Sequence, residues 1–292
     1  MSKGLLDPKV DFVFKNIFGS PNHPEILISF LNATLKAKKK IVNVDIKKTD
    51  IEKQYIEDKY SRLDVKATTS NDEIINIEIQ LKNENNMVKR SLYYLSKMYE
   101  EQLNEKEDYS KLVRTVCINI LNFKYLKTDN FHTGYRFKEI ESNEELTDIM
   151  EVHFIEIPKL QDSSDEKDML VAWTEFLKDP ESEKVRGLEL SIEEIRQAKD
   201  ELIRMSNDST QRELYDMRAN SLRDKMSELN AAERKGIDKG REEGREEGRK
   251  EGIEEGRKEE KIEIARNMKL SGLDTNTIAK ITNLSEDEID KL

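Results

Sequence analysis

Three polar residues have types and a spacing that could do chemistry: Asp64 in RLDVKAT, and Glu78 and Gln80 in INIEIQLK. Side chains alternate along a strand, so Ile75, Ile77 and Ile79 take one face of the second segment, and Asn76, Glu78, Gln80 and Lys82 the other. In the first segment, Leu63, Val65 and Ala67 lie on one side, with Arg62, Asp64 and Lys66 on the other. The turn-like TSND between them predicts a hairpin centred on Asn71, in which residues whose numbers sum to 142 are opposed. Asp64 then faces Glu78.

Opposed Cβ atoms lie about 4.5–5.5 Å apart, and like charges so placed are destabilising unless a positive charge sits between them. A divalent cation removes the conflict. Mg²⁺ prefers oxygen ligands, keeps several waters, and takes one or two protein carboxylates together with oxygens of a phosphate substrate. Gln80 could orient the attacking water or a phosphate oxygen by hydrogen bonds and cannot act as a base. A charged outer face is also what half-exposed antiparallel strands ordinarily show, so alternation alone fits a solvated surface as well.

The elements that must position these residues follow from period and punctuation. Asp7 and Pro8 read as the N-cap and first position of a helix carrying Val10, Val13, Phe14, Ile17 and Phe18. Ile26, Leu27, Phe30, Leu31 and Leu35 predict a second helix after Pro24. From Ile41 the period drops to two, and IVNVDIKKTDI, RLDVKAT and IINIEIQL predict three antiparallel strands. MVKRSLYYLSKMYEEQL returns to helical period, with Val88, Leu92, Leu95, Tyr99 and Leu103 expected on its apolar face and Arg90 and Tyr94 away from it. VRTVCINIL and VHFIEIPKL are two further strands, the first apolar enough to be covered on both faces. Helices follow Pro158, with Trp173 expected in a core with Leu170, Phe176 and Leu177.

Glycines at 236, 240, 244, 248, 252 and 256 form a repeat of four. Each costs a helix interior about 1 kcal/mol relative to alanine. The stripe either admits a second backbone, making a homo-oligomer, or marks a solvated connector. From Glu233 to Lys261 ten positive charges meet eleven negative, so this is not a basic arm for nucleic acid. IEIARNMKLSGLDTNTIAKITNLSEDEIDKL then reads as three short helices resembling a helix-turn-helix module, with Gly272 ending the first and Ser285 to Glu288 a capping box. Its recognition helix TNTIAKIT offers only Lys280 as a positive group, which favours a protein-interaction cap over base readout.

The 292 residues suffice for one good core and a second module. A formal charge of −11 argues against a protein that simply coats nucleic acid, so any such contact is local or metal-assisted. The single Cys117 excludes an internal disulfide. No signal-like or membrane-spanning apolar run is present, which predicts a cytoplasmic protein with no membrane partner. His23, His132 and His153 show no metal-ligand spacing and are expected to be structural or surface residues.

The order helix, three antiparallel strands carrying D-(x)13-E-x-Q, helix, strand resembles the core of the PD-(D/E)XK nuclease superfamily. DFVFKNIFG, EDKYSRLDVKA, INIEIQLKN, KRSLYYLSKMYEEQL, IPKL, the Trp173 segment and the glycine-repeat tail together resemble its recombination-promoting nuclease/putative transposase (Rpn) family, over nearly the whole chain. The resemblance implies an α/β (α+β), restriction-endonuclease-like core with a mixed central sheet flanked by helices, followed by a helical C-terminal extension. It implies a metal-dependent DNA endonuclease of recombination or mobile elements, with Mg²⁺ or Mn²⁺ held by Asp64 and Glu78. Gln80 stands where many superfamily members carry the motif lysine, although E-x-Q is usual in this family. Asp11, Lys15, Lys59, Lys82, Arg90 and Tyr94 are candidates to line the site or hold phosphate. A catalytically degenerate nuclease fold, binding DNA or a protein partner, is the alternative. The expected boundaries are 1–160 for the nuclease-like domain, 161–232 for a helical extension packed on it, 233–261 for the glycine-repeat helix or linker, and 262–292 for the C-terminal module.

Overall fold

The computed structural model describes residues 4–36, 39–47, 65–165 and 167–292. Helix α1 (Asp11–Phe18) buries Val13, Phe14, Ile17 and Phe18, and helix α2 (Pro24–Leu35) starts with proline in its first turn and buries Ile26, Leu27, Phe30 and Leu31. The expected start of α1 is early by three residues. Asp7 and Pro8 make a separate turn, in which Val10 N donates to Asp7 O at 3.1 Å and Lys9 N to Asp7 Oδ1 at 2.9 Å.

Six strands form one sheet among the described residues: β1 (Val44–Lys47), β2 (Val65–Thr69), β3 (Ile74–Gln80), β4 (Thr115–Leu121), β5 (His132–Lys138) and β6 (Glu145–Glu156). Their order is β1-β2-β3-β4-β6-β5. The first three strands are antiparallel, β3, β4 and β6 run parallel, and β5 closes the edge antiparallel to β6, so the sheet is mixed. The β2–β3 register pairs Val65 with Ile77, Lys66 with Asn76 and Ala67 with Ile75, which is the hairpin centred on Asn71. Strand β5 is not anticipated from the sequence: HTGYRFK contains a glycine and is largely exposed, so it lacks the apolar alternation of a half-buried strand.

Helix α3 (Met87–Glu100) links the parallel strands β3 and β4, a connection that needs a crossover of this kind. It covers one sheet face through Met87 and Leu95, packed with Cys117, Leu121, Val152 and Phe154. The other face carries Ile75, Ile77, Ile79, Val116, Ile118 and Ile120 and forms the main core with α1, α2, α4 (Met169–Lys178), α5 (Glu183–Glu189) and α6 (Glu193–Asn207). Trp173 is fully buried there, edge-on to Phe18 at 5.3 Å, with Nε1 donating to Ser29 Oγ at 3.2 Å. This is the core role expected of it.

The apolar face of α3 differs from the sequence expectation. Met87, Ser91, Tyr94, Leu95 and Met98 are buried, whereas Val88 and Leu92 are 40% and 49% exposed. The sheet face beneath is partly polar, and Ser91 rather than Leu92 matches it.

Helix α7 (Ser209–Leu270) is followed by α8 (Thr275–Thr282) and α9 (Glu286–Asp290). The chain divides into two compact units, 1–223 and 224–292. Within the first, Arg212 Nη2 donates to Gly4 O at 2.7 Å, and Tyr215 and Leu222 pack on the main core. Within the second, Ala265, Ile278, Leu284 and Ile289 make a small core, Gly272 adopts φ 83° after the end of α7, and Ser285 with Glu288 forms the expected capping box. Among the described residues no helix is long and apolar enough to cross a membrane.

Candidate functional site

Strand β3 delivers Glu78 to the α3 side of the sheet, and α3 returns Arg90 over it. Glu78 is 1% exposed, which removes the solvated-surface reading at this residue. Its Oε2 accepts a hydrogen bond from Arg90 Nε at 3.2 Å, while Oε1 has no hydrogen-bond partner among the described residues. Burial pushes the Glu78 carboxyl above its ordinary range, and the nearby Arg90 guanidinium pulls the other way without prevailing. The Arg90 guanidinium in turn lies 5.3 Å from the Tyr94 ring centroid, and Tyr94 is buried beneath it.

Around Glu78 the buried surface is polar, which sequence reasoning did not reveal. Parallel pairing puts Asn119 beside Glu78 and Cys117 beside Asn76. Ser91 Oγ lies 2.9 Å from Asn119 Oδ1, and Asn119 Nδ2 donates to His153 O at 3.1 Å. Asn76 Oδ1, like Glu78 Oε1, is buried and without a hydrogen-bond partner among the described residues. The available signal was the asparagine within VCINIL, a polar residue in an otherwise apolar strand at the level of Glu78.

The other candidates are distributed as follows. Gln80 is half-buried at the last position of β3, two residues beyond Glu78, so its side chain leaves on the same face. The strand ends there, and Lys82 falls in the bend beyond, where alternation no longer fixes its side as the sequence reading had assumed. Asp64 and Lys59 lie outside the described residues. Asp11 pairs with Arg218 at 2.9 Å, a contact between two half-exposed side chains. Lys15 is in the last turn of α1, whose end meets the start of β2: a Cβ at Gly19 would lie 2.6 Å from Lys15 O and 3.3 Å from Val65 Cγ2. Glycine permits that approach.

Among the described residues no set of three His, Cys, Asp and Glu side chains is assembled to hold a metal. The fit to a divalent cation therefore rests on Glu78, a buried carboxylate with one oxygen that has no hydrogen-bond partner among the described residues. A hard oxygen donor of that kind suits Mg²⁺ or Mn²⁺.

A second polar cluster sits at the far end of the sheet. Arg114 bridges Glu73 and Glu151. Glu151 Oε1 also pairs with His153 Nε2 at 2.8 Å, and His153 Nδ1 lies 2.9 Å from His132 Nε2. The two histidines are thus joined in one network that ends on Arg114.

A mixed sheet with two antiparallel strands leading into β3, a crossover helix, and a buried acid on β3 facing that helix defines a nuclease-like α/β architecture. Residues 8–232 match the model of the PD-(D/E)XK nuclease family transposases, and the chain belongs to that family. Residues 258–292 match the C-terminal HTH domain of the Rpn/YhgA-like nuclease family. Comparison with curated proteins and with solved structures returns no match.

Proposed function

We propose that the chain is a metal-dependent DNA endonuclease that hydrolyses phosphodiester bonds in recombination or the movement of mobile elements. The observation that carries this reading is the Glu78 carboxylate, buried on the β2–β3 hairpin with one oxygen that has no hydrogen-bond partner among the described residues. Glu78 and Asp64 would hold Mg²⁺ or Mn²⁺. The β2–β3 register, in which paired numbers sum to 142, supports the sequence reading that opposes these two acids. When bound, the ion would lower the pKa of a water and offset charge on the phosphate.

The chain's own groups would do the rest. Gln80 has both donors and acceptors, so it can orient a water without taking its proton. Arg90 presents a planar fork suited to two phosphate oxygens, with Tyr94 beneath it. Lys82, Lys15 and Lys59 would line the approach of the DNA strand and locally offset the acidic balance of the chain, with Asp11 one helical turn from Lys15.

Incubation of the purified full chain with supercoiled DNA, with and without Mg²⁺ or Mn²⁺, tests the reading. Nicking is expected only with the ion, and is expected to vanish in Asp64→Ala and Glu78→Gln. Equal nicking by wild type and both variants, or none by any of them, rejects it.

The helix-turn-helix match supports a second reading, a degenerate nuclease fold that binds DNA or a protein partner in a soluble cytoplasmic assembly, with α7 as its self-association element. Unchanged DNA affinity in Glu78→Gln, without nicking by wild type, is the pattern it requires.

A further inference from the structure

Arg90 and a divalent cation want the same carboxylate. Glu78 is almost fully buried, and its only charged partner among the described residues is Arg90, which holds Oε2 through Nε at 3.2 Å. A metal ion coordinated to Glu78 would bring two further positive charges against the guanidinium at close range, where screening by water is weak. The Arg90 side chain is 24% exposed and stands in the first turn of α3, so it has a route to solvent that Glu78 lacks. A guanidinium released there keeps its full charge and its fork geometry, which matches a phosphate better than a lone carboxylate oxygen.

We propose that Arg90 is a displaceable counter-ion: it neutralises Glu78 in the metal-free chain, yields the carboxylate to the incoming cation, and swings onto a phosphate oxygen of the nucleic acid. The inference rests on the reading of Glu78 as a metal ligand. It adds a linkage between the two ligands: the cation frees the group that grips phosphate, and phosphate holds that group away from the cation's site. Such coupling is reciprocal, so each ligand tightens the other by the same factor. A chain built this way keeps its metal weakly until nucleic acid is present.

Calorimetric titration of the full chain with Mn²⁺ alone separates this from a merely structural ion pair. Arg90→Gln is expected to bind Mn²⁺ about five-fold more tightly than wild type, or better, because the competitor is gone. Arg90→Lys, which keeps the charge but not the fork, is expected to lie between them, and carries the test if Arg90→Gln does not fold. In parallel, anisotropy of a fluorescein-labelled DNA duplex is measured in Ca²⁺ and in EDTA. Ca²⁺ is expected to tighten duplex binding by wild type and to do so less in both Arg90 variants. Mn²⁺ affinity unchanged or weakened in both Arg90 variants overturns the proposal. Failure of the underlying site is read separately: Glu78→Gln binding Mn²⁺ as well as wild type, or wild type binding none, removes Glu78 as a ligand and the proposal with it.

Discussion

Ser91 Oγ stands 2.9 Å from Asn119 Oδ1, joining α3 to β4 at the residue paired directly with the buried Glu78. The Ser91 hydroxyl has one proton to share between Asn119 Oδ1 and Met87 O at 2.7 Å, and both residues are fully buried, so the asparagine oxygen has no water to turn to when the hydroxyl is removed. An oxygen left unpaired in such a place costs about 1–3 kcal/mol. Ser91→Ala is therefore expected to lower unfolding free energy by about that amount, measured by urea denaturation. A Ser91→Ala chain as stable as wild type would show that the contact holds nothing.

The cluster at the far sheet edge makes a pH prediction. Burial, and then the neighbouring His153, lower His132 from 6.5 to about 4. Lys36 pulls in the same direction, while Asp168 and Glu151 oppose it. The folded state thus binds the His132 proton less readily than the unfolded state does. Its contribution is present above pH 6.5 and is lost as pH falls towards 4. Glu151 behaves differently: burial works to raise it, but hydrogen bonds from His153 and Arg114 prevail and hold it at about 2. Its contribution is lost only between about 4.5 and 2. His132→Gln is expected to flatten the thermal midpoint between pH 6.5 and 4 while leaving the loss due to Glu151 at lower pH. A variant with the wild-type slope between 6.5 and 4 rejects the assignment.

How much of this was legible depended on whether local pattern or distant pairing decided it. The β2–β3 hairpin follows from alternation and a four-residue turn, both local, and its register was correct to the residue among the described positions. The face of α3 did not follow. Hydrophobicity alone selects Val88 and Leu92, whereas the helix meets Asn119 and buries Ser91, a choice made by a strand 28 positions away. The His132–His153 contact arises because β5 pairs with β6 antiparallel, and β5 itself carries too little apolar alternation to be read. Arg90 was recognised as a candidate phosphate ligand, but its pairing with Glu78 appears only once α3 is laid across the sheet.

The glycines of the second unit divide into two kinds, and substitution distinguishes them. Gly272 has φ 83°, a conformation that costs an L-residue about 1–2 kcal/mol, so Gly272→Ala is expected to destabilise the helical end formed with α8 and α9. Gly244 and Gly248 lie within α7, and a Cβ at either meets nothing within 4 Å. Alanine there adds no clash and removes the backbone-entropy cost, about 1 kcal/mol at each position. Circular dichroism of Gly244→Ala/Gly248→Ala is expected to show more helix at elevated temperature, while Gly272→Ala melts the C-terminal helices earlier. If the double variant instead loses helicity, or changes mass in sedimentation, a backbone approaches α7 at these positions in solution, as the homo-oligomer reading of the repeat requires.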